Sequence, residues 1–224
     1  MMRLWGRKSS INVQKVMWCL TELQRQEQID YERIDAGLHF GINTSPEFLK
    51  LNPNGLVPTL QDGQLNLWES NSILRYLART YDAAGNFFPS DNLSQANSDK
   101  WLDWQLSILW PALRLPFLGL TRVPEAERNY AGISKGFTDT HHYLGFLNTA
   151  LQKQAYCSGE RFNLGDIALA LCVNRWILLA ETFPEHLTAR PQYEYLENWF
   201  KRIQTQTQFA TIAETELMAS KPQI

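Results

Sequence analysis

Cysteine is scarce in this sequence: Cys19, Cys157 and Cys172 are the only three among 224 residues. An odd number at wide spacing makes no disulfide framework, and a reducing cytoplasm is the expected compartment. Histidine is equally sparse. His141 and His142 adjoin, His39 and His186 stand alone, and nothing has metal-ligand spacing, so no metal is expected. Basic excess is absent as well. Lys and Arg total 21 against 23 for Asp and Glu, a formal net charge of −2, which speaks against a nucleic-acid partner. No run approaches the roughly 18 consecutive apolar residues of a membrane span. The charged start, Met1 to Lys8, leads into no long apolar stretch, so neither a signal peptide nor a membrane partner is expected. Internal repeats and low-complexity tracts are missing too. What is present is ample material for a core: 44% hydrophobic and 20% charged residues, in a length that suits one large domain or two small ones.

The character of the chain changes around residues 82–95, where Gly85, Pro89, Asn86, Asn92 and Asp91 cluster as in a linker. Ahead of it, strand-like and helix-like pieces alternate. Arg3-Leu4-Trp5 reads as a short strand. Asn12 precedes Val13, Val16, Met17, Leu20 and Leu23 at helical spacing, as an N-cap would. Tyr31 to Asp35 alternates like a strand, and Ser45-Pro46 opens a short helix. Asp62-Gly63 between two alternating runs signals a hairpin, and Ser70 leads an amphipathic helix through Ile73, Leu74, Leu77 and Tyr81. Strands joined through a helix are parallel, and hairpin strands antiparallel.

Beyond the linker the pattern is helical. A helix from Ser94 toward Leu120 places Trp101, Trp104 and Ile108 on one face, with Pro111 expected to kink or end it. A long helix is expected over 125–155 and another over 192–204. Between them Ile167 to Val173 is apolar nearly all round, the mark of a helix at the centre of a core. Asn163 and Asp166 have the spacing of a capping box, a structural role.

Three loop-to-helix or loop-to-strand junctions in the first 80 residues carry the chemistry. Helix N-termini present unpaired N–H groups and partial positive charge, so they attract anions. At Arg7-Lys8-Ser9-Ser10-Ile11-Asn12, hydroxyls stand just before a helix start, where a thiolate would be stabilised. Lowering a thiol from its ordinary value near 8.5 by about two units takes roughly 2.7 kcal/mol. Taken alone, Ser-Ser before a helix is ordinary capping. At Asn54-Gly55-Leu56-Val57-Pro58-Thr59, a proline immediately precedes a strand, which alone is an ordinary turn. At Trp68-Glu69-Ser70-Asn71, a hydroxyl and an N–H suit a carboxylate while the acid beside them suits an ammonium. A capped helix with an acid in its first turn accounts for the same residues equally well.

Order and spacing together say more than each junction does. The run from Asn52 to Leu60, then Asp62-Gly63, then Leu67 to Leu77, resembles the cytosolic glutathione transferase family, and so does Ser158 to Ala168. The likeness spans nearly the whole chain and is most specific over 52–77. It implies an α+β thioredoxin-like N-terminal domain of order βαβ-α-ββα, followed by an all-helical bundle. The expected divisions are 1–82 for the glutathione-binding domain, 83–93 for the linker and 94–224 for the helical domain. By the resemblance, Val57 bonds the cysteinyl backbone of glutathione ahead of a cis Pro58, Glu69 and Ser70 hold its γ-glutamyl end, and Asn43 lies near its glycyl end. Leu56 stands where many relatives carry a basic residue, which weakens that end unless Arg7 or Lys8 compensates. No tyrosine or cysteine lies at the end of the first strand. Ser10-Ile11-Asn12-Val13-Gln14-Lys15 resembles a bacterial branch with a hydroxyl residue and an asparagine two apart, so Ser10 is the first candidate for the thiolate donor, with Asn12 second and Ser9 also open.

The resemblance implies a cytoplasmic detoxifying enzyme that joins glutathione, a cosubstrate, to a small electrophile, as a homodimer and without a separate cofactor. The electrophile would sit between the domains near Trp104, Trp110, Arg114 and Phe117. A tryptophan stripe of this kind also serves as core or dimer contact. Two other functions stay open: glutathione-dependent reduction of disulfides or peroxides, and a non-catalytic interaction module.

Overall fold

A computed structural model describes residues 1–25, 29–85, 87, 89, 91–213 and 217, and on these the alternating pieces become a sheet with helices. Strand β1 (Met2–Trp5) is followed by helix α1 (Ile11–Gln24), β2 (Tyr31–Ile34), a 3₁₀ turn at Leu38–Phe40, α2 (Pro46–Leu51), β3 (Thr59–Asp62), β4 (Leu65–Trp68) and α3 (Ser70–Tyr81). Among the described residues the strands form one sheet in the order β2-β1-β3-β4. β1 pairs parallel with β2, and β3 pairs antiparallel with both β1 and β4. The crossover and the hairpin expected from the sequence are both present. The turn itself sits one residue later than expected: Asp62 still pairs with Leu65, and Gly63, at φ +56°, supplies the left-handed bend.

Helix α1 starts earlier than the sequence suggests. Ser10 is its N-cap and Asn12 its second residue, because the carbonyl of Ser10 already accepts the first helical bond, from Gln14. Likewise α3 has Glu69 as N-cap and Ser70 as its first residue. Helix α2 begins as read, with the Ser45 hydroxyl accepting from the Phe48 N–H and Pro46 in the first turn.

The remaining elements are α4 (Asn92–Trp104), a π-turn at Gln105–Leu109, α5 (Trp110–Thr121), a 3₁₀ turn at Glu125–Glu127, α6 (Tyr130–Leu151), α7 (Leu164–Thr182), α8 (Glu194–Gln206) and α9 (Phe209–Ile212). Helix α4 therefore begins inside the stretch read as linker, capped by Asp91. In that stretch residues 86, 88 and 90 lie outside the described ones. The single helix expected from Ser94 to Leu120 is interrupted. Pro111 has no N–H, and its ring crowds the carbonyl four residues back, so the helix widens just before it. The extra residue of the π-turn rotates the next helical face: Leu109 is buried, whereas Ile108 is exposed and leaves the face of Trp101 and Trp104.

The described chain divides into two compact units. One holds residues 1–88 together with the returning 208–213; the other holds 89–207 and Leu217. In the first, α1 buries Val13, Val16, Trp18, Leu20 and Leu23. Helix α9 docks on α1 through Trp18 against Phe209, ring centroids 5.3 Å apart. Glu22 accepts from both Trp18 Nε1 and the Gln208 N–H. In the second unit α7 is the core helix, with Leu164 to Val173 buried without interruption, as its all-round apolar sequence requires. Gly136 lets α6 lie against α5, since a Cβ there would come within 2.7 Å of the Ala112 carbonyl oxygen. Among the described residues no helix is long and apolar enough to cross a membrane.

Candidate functional site

The first unit contains an open cleft of about 330 Å³, lined by Asn12, Asn52, Asn54, Leu56, Val57, Pro58, Trp68, Glu69 and Ser70. Three chain segments meet there: the start of α1, the loop between α2 and β3, and the junction of β4 with α3. These are the three junctions picked out in the sequence. The first turns of α1 and α3 thus border one cleft through Asn12 and Ser70, and helix N-termini favour anions.

Asn52 organises the middle segment. It is almost fully buried, and its Nδ2 donates to the Leu56 carbonyl at 2.9 Å and to Thr59 Oγ1 at 3.1 Å. Its Oδ1 accepts from the backbone N–H and the side-chain amide of Asn54, each at 3.0 Å. Asn43 donates its amide to the Gly55 carbonyl at 2.7 Å, and Gly55 itself is at φ +62°. Together these bonds fix the loop that carries Leu56 and Val57 into the cleft. The Val57–Pro58 peptide is cis, as expected. Substituting Asn52 by alanine leaves the Leu56 carbonyl and the Asn54 N–H without their partner. A loss of about 2 kcal/mol of stability is expected, readable as a lower urea midpoint at unchanged slope.

At the α3 junction Glu69 adopts φ +69°, a left-handed conformation that costs a non-glycine residue about 1–3 kcal/mol. It is exposed, while the next two residues, Ser70 and Asn71, are buried at 5% and 4% exposure. Buried Lys15 of α1 reaches both, with Nζ 3.1 Å from Asn71 Oδ1 and 3.5 Å from Ser70 Oγ.

The sequence candidates divide accordingly. Asn12, Leu56, Val57, Pro58, Glu69 and Ser70 line the cleft together, whereas Ser9, Ser10 and Asn43 are not among its lining residues. Ser10 makes no side-chain cap bond. Asn52, Asn54 and Trp68 also line the cleft; they stand within the sequence motifs, which give them no role of their own. The signal for Asn52 was its place at the head of the run ending in Leu60.

The four residues expected around an electrophile are not gathered into one place. The π-turn separates Trp104 from the other three. Trp104 packs at 5.4 Å from Trp101 and 5.9 Å from Phe146, and with Lys100 and Ala150 these line an open apolar groove on the surface of the second unit. Trp110 and Phe117 lie ring to ring at 6.0 Å, but Phe117 is buried beneath the Arg175 guanidinium, 4.9 Å from its centroid. Arg114 is exposed.

Cysteine chemistry finds no footing. All three thiols are buried. Burial, with the carboxylates of Asp82 and Glu22, holds the Cys19 thiol far above its ordinary range, and burial beside Asp166 does the same for Cys157. Among the described residues no cluster of three His, Cys, Asp or Glu side chains is placed to hold a metal.

Comparison with known proteins identifies the family. The glutathione S-transferase N-terminal domain family matches residues 1–79, and its C-terminal domain family matches 107–206. Glutathione S-transferase GstB of Escherichia coli K12 is 38% identical over 205 residues, which cover 91% of this chain and 93% of that protein. The disulfide-bond oxidoreductase YfcG of the same organism is 27% identical over 197 residues, 83% of this chain and 84% of that one. Among solved structures, the theta class glutathione S-transferase of Xanthomonas axonopodis pv. citri with glutathione bound is 38% identical at a TM-score of 0.85, covering 96% of this chain and 98% of that one.

Proposed function

This chain belongs to the cytosolic glutathione transferase family, and from that premise we propose that its first-unit cleft holds glutathione as a thiolate for transfer to a small electrophile. The observation that supports this most is the meeting of Asn12, Val57, Glu69 and Ser70 around one cleft although the sequence separates them by up to 58 positions. The Ser70 hydroxyl and the first-turn N–H groups of α3 take the γ-glutamyl carboxylate, and Glu69 takes the ammonium. The backbone of Val57 takes the cysteinyl unit. Asn12 and the N-terminus of α1 stabilise the sulfur. Asn12 replaces Ser10 as the first choice of donor because it lines the cleft. Leu56 offers no charge to the glycyl carboxylate, and Asn43, committed to Gly55, acts by shaping the loop.

In the reaction the glutathione sulfur forms a bond to the electrophilic carbon, the leaving group departs with its electron pair, and the thiol proton passes to solvent. The protein supplies orientation and thiolate stabilisation, not a nucleophile of its own. Trp110 and Arg114 are the residues of the second unit proposed to meet the electrophile. Phe117 serves the core. A homodimer, a cytoplasmic location and a role in detoxification complete the proposal, with residues 1–82, joined by the returning 208–213, as the glutathione-binding domain and 92–207 as the helical one.

A second reading, reduction of disulfides with glutathione as electron donor, draws on the likeness to the oxidoreductase YfcG. Two assays separate the readings. Turnover of 1-chloro-2,4-dinitrobenzene above that of hydroxyethyl disulfide is expected, and the reverse order would favour reduction. Calorimetric titration with glutathione tests the cleft itself: absence of binding would leave only a non-catalytic interaction module.

A further inference from the structure

Lys15 is a charged residue with no exposed surface. Taking an ammonium out of water costs several kcal/mol unless its donors are matched. Two of its partners are Asn71 Oδ1 and Ser70 Oγ, 56 and 55 residues away in sequence, at the first turn of α3. The chemistry of this contact is one-directional. A lysine ammonium carries three donors and no acceptor, whereas a hydroxyl can both accept and donate. At this contact Ser70 therefore accepts. Its own hydrogen is left to point elsewhere, and Ser70 lines the cleft.

We infer that Lys15 is a positioning residue that sets the Ser70 hydroxyl as a donor toward the cleft, and so selects for a carboxylate, that of the γ-glutamyl end. This rests on the glutathione-binding reading above. Lys15 does not touch the ligand. It acts from behind the helix terminus, removing the alternative in which Ser70 turns its hydrogen inward. Charge so near the hydroxyl also polarises the O–H bond, which strengthens it as a donor to an anion. Asn71 contributes by accepting from Lys15 at 3.1 Å, which anchors the ammonium under the turn.

A lysine that merely joined α1 to α3 would affect every ligand of the cleft alike; a lysine that orients Ser70 would not. The test titrates wild type, K15M and K15Q calorimetrically with glutathione and with 4-aminobutyryl-Cys-Gly, which keeps the amine but lacks the γ-glutamyl carboxylate. K15M is expected to raise the Kd for glutathione by roughly thirtyfold, the worth of a charge-assisted hydrogen bond, and that for the analogue by less than about threefold. K15Q is neutral and one atom shorter, and keeps a donor for Asn71. It should show the same selectivity at roughly tenfold, and it carries the test if K15M does not fold. Equal weakening of both ligands, or unchanged glutathione affinity in K15Q, overturns the inference. A wild-type protein that fails to bind glutathione overturns the reading beneath it as well, an outcome distinct from the other two.

Discussion

Substituting Asp166 by alanine will lower the unfolding free energy by about 4 kcal/mol, a large share of the 5–15 kcal/mol typical of native proteins. Asp166 has no exposed surface, and its carboxylate accepts from three buried donors: the Cys157 N–H at 2.8 Å, the Asn163 N–H at 3.0 Å and Trp199 Nε1 at 2.8 Å. Each donor left without an acceptor costs about 1–3 kcal/mol, and alanine strands all three. Asparagine at 166 is the informative comparison, since its one remaining oxygen can still serve Cys157 and Trp199. The two variants also separate in their response to pH. Burial pushes the Asp166 carboxyl up to about 6, against the pull of its three donors. The folded protein therefore holds this proton more tightly than the unfolded chain does. The stabilisation from the bound proton is complete below the ordinary carboxylate value near 3.9 and is lost as pH rises through about 6. Between those limits wild type should lose about 3 kcal/mol relative to D166N, whose amide does not titrate. Urea unfolding at several pH values reads this difference directly, and the other carboxylates cancel between the two proteins. A difference that is flat or grows with pH would contradict the assignment.

The Asp166 bonds show what a sequence can disclose about this fold. Asn163 and Asp166 lie three apart, so their capping box is a local fact and was legible, as were the Ser45-Pro46 helix start and the β3–β4 hairpin. The third donor, Trp199, comes from α8, 33 residues on, and no local pattern announces it. The same divide runs through the cleft. Pro58, Glu69 and Ser70 belong to one contiguous motif, so their cooperation could be expected. Lys15 and Ser70 meet only because α1 packs on α3, and in sequence Lys15 is one of several polar residues of α1. The second unit misled for a different reason. Helical spacing assumes a uniform turn, and Trp101, Trp104 and Ile108 share a face only if the helix runs unbroken. Pro111 was seen, but its effect fell ahead of it: five residues of π-turn at 105–109 put Trp104 in a separate aromatic group. Helix starts shifted by one or two residues at α1 and α3 because serine and asparagine serve equally well at the cap and just inside it. That shift decides which polar side chain reaches the cleft, and so bears on the chemistry.

The choice between Ser10 and Asn12 can be forced by the sulfur itself. A cysteinyl thiol ionises near 8.5, so at neutral pH few molecules of glutathione in solution carry the nucleophile. A donor that bonds the thiolate and not the thiol lowers that value, and a charge-assisted bond is worth about 1.5–3 kcal/mol. Asn12, the second residue of α1, lines the cleft and brings both its side-chain amide and its place in the first helical turn. Removing the amide in N12A is expected to raise the pKa of bound glutathione by about 1–2 units, followed through the ultraviolet absorbance of the thiolate. The value of kcat/KM with 1-chloro-2,4-dinitrobenzene should then fall by up to about 100-fold near neutral pH. The deficit must shrink as pH rises past the new pKa, because at high pH the sulfur ionises without help. That convergence distinguishes loss of thiolate stabilisation from general damage to the site, which would depress the rate at every pH. The parallel S10A variant should change kcat/KM by less than about threefold, since its hydroxyl does not line the cleft and caps no backbone group. If S10A instead shows the larger loss and the shifted pH limb, the thiolate donor is Ser10, and the first turn of α1 presents its cap residue to the sulfur.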